Sequence, residues 1–196
     1  ISTNLEIGIN LQVRGKIEKE GSYTVNAKLI NDYVNLLPKQ NIEINLKDDA
    51  LNIKSESQQT KIKGQGADEF PLIPQVDRKN SYSCTLTEML KALSQVLFAV
   101  SVSETRPEIS GVYFSFKGDK LTMAATDSYR LAEKQVSLKD GVETEKEVII
   151  PAKTVQELHR ILSSIHDSTE FVDDSGDEQR FLEIYFEDNQ VLFVFD

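Results

Sequence analysis

Residues 105–131 read TRPEISGVYFSFKGDKLTMAATDSYRL, and this stretch sets the fold class. Val112, Phe114 and Phe116 alternate with Tyr113 and Ser115, the period of a half-buried strand. Lys117-Gly118-Asp119-Lys120 is a short polar turn containing the glycine a hairpin loop favours. Leu121, Met123 and Ala125 continue the alternation on a returning strand. The hairpin runs into Thr126-Asp127-Ser128-Tyr129-Arg130-Leu131, which places a carboxylate, a phenol and a guanidinium at a strand end. Strand-end loops are where function concentrates.

Upstream of the hairpin, Thr85-x-x-Glu88 is a capping box. Leu86, Met89, Leu90, Leu93, Leu97 and Val100 follow as one apolar face of a helix over 86–100. Downstream, Val148-Ile149-Ile150 leads to Pro151 at the start of a helix over 152–165. Its stripe is Val155, Leu158, Leu162 and Ile165. An acidic loop, 173–178, precedes a last hairpin turning at Asp188-Asn189. Before all of this, residues 5–17 alternate through Leu5, Ile7, Ile9, Leu11 and Val13, which predicts a strand. Asn26 caps a helix over 26–37 striped by Leu29, Ile30, Tyr33, Val34 and Leu37, and Pro38 stops it. Ile42, Ile44 and Leu46 turn at Asp48-Asp49 into Leu51 and Ile53, a second hairpin.

The two halves repeat one another. Asn26-Ala27-Lys28 and Pro151-Ala152-Lys153 each open a helix, and Glu43-Ile44-Asn45-Leu46-Lys47-Asp48 parallels Glu183-Ile184-Tyr185-Phe186-Glu187-Asp188. Each half is a strand–helix–hairpin unit. The second carries an additional helix and hairpin in front, so the first is expected to be incomplete.

With 196 residues the chain suits one large or two modest domains. No apolar run approaches the roughly 18 residues a spanning helix needs. A lone cysteine, Cys84, permits no internal disulfide, which fits a reducing, cytoplasmic setting. The net charge of −10 argues against general nucleic-acid affinity, yet the three helices are nearly neutral. Lys28 offsets Asp32, Lys91 offsets Glu88, and Lys153 and Arg160 outweigh Glu157. Lys153, Gln156 and Arg160 share one helix face, as do Lys28, Asn31 and Asn35, and Lys91 and Ser94. Such faces are solvated surfaces on spacing alone; read functionally, they line phosphates without reading bases. Enzymatic motifs are missing from the sequence. Asp127 beside Arg130 reads first as a paired strand-end carboxylate, and only then as a hydrolase base acting with Tyr129. Ser128 lacks a nucleophile-elbow context, and Gly64-Gln65-Gly66 does not join a strand to a helix as a phosphate loop does. His159 is a helix-surface histidine, and no cluster has metal-ligand spacing.

"RPEISGVYFSF" and "LTMAATDSYRLA" resemble the middle domain of the bacterial DNA polymerase sliding clamp, the beta subunit of the replicative polymerase. "TNLEI" at 3–7, "ADEFP" at 67–71 and "IIPAKTVQELHRIL" at 149–162 extend the resemblance over most of the chain. It implies an α+β clamp fold, with antiparallel β-sheets packed on α-helices. It also implies a non-catalytic processivity factor without cofactors. In that family two three-domain chains close a ring around duplex DNA, with helices lining the hole. Residues 1–74 would be a partial first domain and 75–196 the middle domain, with the third absent, so this chain is not expected to close the ring. The partners implied are duplex DNA, DNA polymerase, other clamp-binding proteins and the clamp loader. The middle-domain half of the family's peptide pocket maps to Arg106, Ile109, Thr126, Ser128, Tyr129, Arg130 and Leu131. Ser128 stands where the family pattern has glycine, and Tyr129 where it has histidine. The DNA-facing set would be Lys28, Asn31, Lys91, Lys153, Gln156 and Arg160. The competing reading is a stand-alone peptide-binding adaptor that does not encircle DNA.

Overall fold

The computed structural model describes residues 1–73, 75–101, 103, 105–167, 180–187 and 189–195. The chain forms two compact units, Ile1–Pro74 and Gln75–Asp196. The architecture is α+β, with antiparallel sheets and helices.

The second unit contains β6 (Tyr82–Thr85), α2 (Leu86–Val96), β7 (Gly111–Lys117), β8 (Lys120–Thr126), β9 (Leu131–Ser137), β10 (Lys146–Pro151), α3 (Ala152–Asp167), β11 (Phe181–Glu187) and β12 (Gln190–Phe195). The quoted hairpin is β7–β8. Lys117 pairs with Lys120 across a two-residue turn, and Gly118 takes φ +60°, a conformation glycine adopts without steric cost. β7 and β8 are the two central strands of the sheet β10-β7-β8-β9; a smaller sheet runs β12-β11-β6. Val112, Phe114, Phe116, Leu121 and Met123 are fully buried on one face of the larger sheet. Both α2 and α3 contact that sheet, α2 at β8 and β9, α3 at β7 and β10. Between them they bury Met89, Leu93, Val96, Val155 and Leu162 completely, and Leu158 almost so. Full burial of a leucine contributes about 1.5–3 kcal/mol. Leu90 and Leu97, expected in the core, are only partly buried at its margin.

Both helix starts follow from sequence. The Thr85 hydroxyl accepts the Glu88 N–H at 3.3 Å and also donates to the Glu88 carboxylate. Pro151 closes β10 rather than opening the helix, and Ala152 begins α3 with its N–H donated to the Ser110 carbonyl at 3.1 Å. The long helix expected to reach Val100 ends at Val96, and Leu97–Ala99 tightens into a 3-10 turn. The acidic loop expected over 173–178 and the turn residue Asp188 lie outside the described residues.

The first unit contains β1 (Ser2–Thr3), β2 (Gly8–Ile9), α1 (Ala27–Leu36), β3 (Glu43–Lys47), β4 (Ala50–Lys54) and β5 (Gln59–Lys63). The strand expected over 5–17 is not formed. Ser2–Thr3 pairs with Gly8–Ile9 instead, and Leu5 takes φ +76° where the chain reverses. The side chains of Asn4 and Thr3 hold that reversal by accepting the Glu6, Ile7 and Leu5 amides. Leu11, Val13 and Ile17 are exposed, so the alternation has no sheet to face. Asp48 and Asp49 both take positive φ, as a two-residue hairpin turn requires. Gly64 is fixed by proximity: a Cβ there would stand 2.0 Å from the Thr24 carbonyl oxygen, where Thr24 and Gln65 bridge. Among the described residues of this unit only Ala50, Ile53 and Ile62 form a hydrophobic interior, and α1 buries no residue.

Candidate functional site

The loop between β8 and β9 is built by its own polar side chains. Asp127 Oδ1 accepts the N–H groups of Tyr129 and Arg130, each at 3.0 Å, an arrangement a short carboxylate provides locally. Its Oδ2 accepts Arg130 Nε at 2.9 Å. These bonds, the Tyr129 and Arg130 amides first, hold the Asp127 carboxyl below the usual aspartate range. Thr126 closes the loop from the other side, donating its hydroxyl to the Arg130 carbonyl at 2.7 Å and accepting the Ser128 N–H at 3.2 Å. Ser128 sits at the apex with φ +77°. A left-handed residue there accounts for the glycine of the related pattern.

The segment before β7 meets this loop. Arg106 Nη1 donates to Ser128 Oγ at 3.2 Å, across 22 positions of sequence. The hydroxyl that departs from the family's glycine therefore receives the guanidinium. Ile109 is tied to Arg106 by a backbone turn and is half-buried. Tyr129 and Leu131 remain largely open, 98% and 71% exposed. Leu131 therefore does not close the end of the core. The arrangement is an open shelf carrying two guanidiniums, a phenol and an aliphatic side chain. As a catalytic site it is poorly equipped, because the Asp127 carboxylate is already engaged by three donors.

One residue at this shelf escaped the sequence reading. Phe98, in the 3-10 turn after α2, is 56% exposed and lies under the Arg130 guanidinium, 5.4 Å from ring centroid to Cζ. A signal for it existed: Phe98 falls outside the stripe of Leu93, Leu97 and Val100, so its bulk had no assigned place in the core.

The second surface is the outer side of the helix pair. Lys91 on α2 and Lys153, Gln156 and Arg160 on α3 are all exposed. Because both helices contact the same sheet and bury their apolar sides, these four residues belong to one helical layer. Ser94 Oγ and His159 Nε2, 2.9 Å apart, join the helices across it. Arg160 is engaged bidentately by Glu157, one turn earlier. That hydrogen bonding holds the Glu157 carboxyl below its ordinary value. Lys28 and Asn31 are likewise exposed on α1 in the first unit. Among the described residues no three His, Cys, Asp or Glu side chains gather to hold a metal ion, and no helix is long and apolar enough to cross a membrane.

With this geometry in place, comparison with known proteins is direct. Residues 85–194 match the family model described as DNA polymerase III beta subunit, central domain, and residues 1–74 that of its N-terminal domain. The chain is 33% identical over 195 residues to the Beta sliding clamp of Staphylococcus epidermidis, covering 97% of this chain and 48% of that protein. It is 32% identical to the Staphylococcus aureus Beta sliding clamp over the same shares. It spans about half the length of these curated relatives. Among solved structures, the DNA polymerase sliding clamp from Bacillus subtilis superimposes with a TM-score of 0.77 at 30% identity, over 91% of this chain and 44% of that one. A putative DNA polymerase III beta subunit from Eubacterium rectale reaches 0.79 at 24% identity, over 94% and 47%, which speaks to the fold alone. The matched family models together span nearly all of the sequence, and the chain belongs to the DNA polymerase III beta subunit family.

Proposed function

We propose that this chain is part of a sliding clamp, a non-catalytic processivity factor that tethers the replicative polymerase to duplex DNA in the cytoplasm. The observation that carries the reading is the family membership of both units. Two features of the second unit support it. The shelf formed by Arg106, Ile109, Thr126, Ser128, Tyr129, Arg130 and Leu131 suits an extended peptide from polymerase, clamp loader or another clamp-binding protein, with an apolar anchor against Tyr129 and Leu131. The exposed, nearly neutral helical layer of an acidic chain suits loose passage over phosphates by Lys91, Lys153, Gln156 and Arg160, with Lys28 and Asn31 serving the same purpose in the first unit. A clamp holds DNA by topology, as a homodimeric ring, so direct duplex affinity is expected to be weak, salt-sensitive and indifferent to sequence.

The test is competition. The chain is added in excess to a primer-extension reaction that depends on a complete sliding clamp. Shortened products are expected, because the chain occupies the polymerase's clamp-binding peptide, and Tyr129→Ala with Leu131→Ala removes the inhibition. Product lengths unaffected by the wild-type chain at concentrations well above the clamp's would contradict the peptide site.

A further inference from the structure

We propose that Phe98 is a positioning residue of the peptide shelf, holding the Arg130 guanidinium in place and extending the apolar wall; this rests on the peptide-site reading above. An aromatic ring left 56% exposed forgoes much of the burial it would gain in a core that takes Phe114 and Phe116 completely. What it gains instead is Arg130, whose Cζ stands 5.4 Å over the ring centroid. A cation within about 6 Å of a ring face is attracted to it. Arg130 is thereby fixed at two points, by the ring beneath and by Asp127 Oδ2 on Nε. A long side chain on an open surface would otherwise sample many rotamers, and ordering it on binding would weaken the complex. Arg130 also sits between Tyr129 and Leu131, the two most open apolar residues of the loop. Phe98 thus adds an exposed apolar group beside the held cation, supplied by a different element of the fold.

The occupant is an extended peptide with an apolar anchor flanked by an acceptor, a side-chain carboxylate or a backbone carbonyl. Charge supports this choice: with Asp127 offsetting Arg130, Arg106 leaves these shelf side chains net positive on a chain whose net charge is −10.

The test uses the full chain and a fluorescein-labelled peptide rich in Gln, Leu and Phe, read by anisotropy, together with the Arg130 Nε–H signal by NMR. Phe98→Ala is expected to weaken binding by about 2- to 5-fold, the scale of an exposed cation–π contact. Phe98→Trp should restore it. The Arg130 Nε–H signal should move downfield in Phe98→Ala as the ring's shielding is lost, and return towards its position in Phe98→Trp. A purely structural Phe98 would shift the melting temperature and leave affinity unchanged. Unchanged affinity in Phe98→Ala, whether or not the arginine signal moves, overturns the assignment. Absence of any binding by the wild-type chain overturns the peptide-site reading itself, and is told apart because it appears before any substitution is made.

Discussion

Helix α1 of the first unit and helix α3 of the second open with the same Ala-Lys pair and carry comparable apolar stripes, yet they end in different surroundings. In α3, Val155 and Leu162 are fully buried and Leu158 nearly so. In α1, the stripe residues Leu29 and Val34 are 56% and 42% exposed, and Ile30, Tyr33 and Leu37 are only half-buried. The difference lies in the neighbours. α3 packs against α2, β7 and β10. Among the described residues of the first unit, no counterpart of α2 or of the β7–β8 hairpin lies over α1. An apolar stripe therefore specifies which side of a helix seeks cover, while most of its stabilisation comes from what covers it.

Leu162→Ala should destabilise the second unit by about 2–5 kcal/mol, through lost transfer energy and a cavity. Leu29→Ala in α1 should change stability by less than about 0.5 kcal/mol, as at an exposed site. Urea unfolding of both variants decides it, and equal losses would mean that α1 is covered in solution. The caps give a smaller contrast. Thr85→Ala should cost about 1 kcal/mol, because α2 is integral to the packed unit. The Asn26 side chain accepts the Lys28 and Leu29 amides just as well. Asn26→Ala, however, should show mainly as faster hydrogen exchange within α1, with little change in the main unfolding transition.

Much of this was legible beforehand, for identifiable reasons. The β7–β8 hairpin announced itself because its alternation, its Gly118-Asp119 turn and its two-sided pairing all agree. The start of α2 was set by Thr85 and Glu88, whose side chains satisfy helix-end groups whatever the tertiary setting. Residues 5–17 misled because alternation reports a possible sheet face, and among the described residues no strand partners Leu11 or Val13. The Thr126–Leu131 loop was visible as a cluster of polar groups, but its geometry was not. Asp127 capping two amides, Ser128 at positive φ and Arg106 reaching Ser128 depend on how the hairpin closes in space. Phe98 was missed because its role depends on Arg130, 32 positions away, standing over its ring.

Cys84 is wholly buried, and burial first, then the nearby Glu88, pushes its thiol up to about 12. Only the thiolate reacts, so iodoacetamide at mildly alkaline pH should leave Cys84 unmodified in the native chain and label it rapidly in urea. The shelf responds to acid instead. Because the Asp127 carboxyl is held below its ordinary value, its clasp on Arg130 and the loop amides contributes fully above the unfolded-state aspartate value of about 3.9. That contribution is lost as pH falls through the lower folded value. The Arg130 Nε–H signal should stay constant through neutral pH and change only in strong acid, with Asp127→Asn shifting it at every pH.

The joined ends of the hairpin in the second unit form the proposed peptide shelf. An NMR titration of the full chain with an unlabelled peptide rich in Gln, Leu and Phe tests it most directly. The predicted result is a set of saturable shifts centred on Phe98, Arg106, Ile109 and the residues from Thr126 to Leu131. Shifts centred instead on the open stripe of α1, around Leu29 and Val34, would contradict it and make the uncovered helix the binding surface.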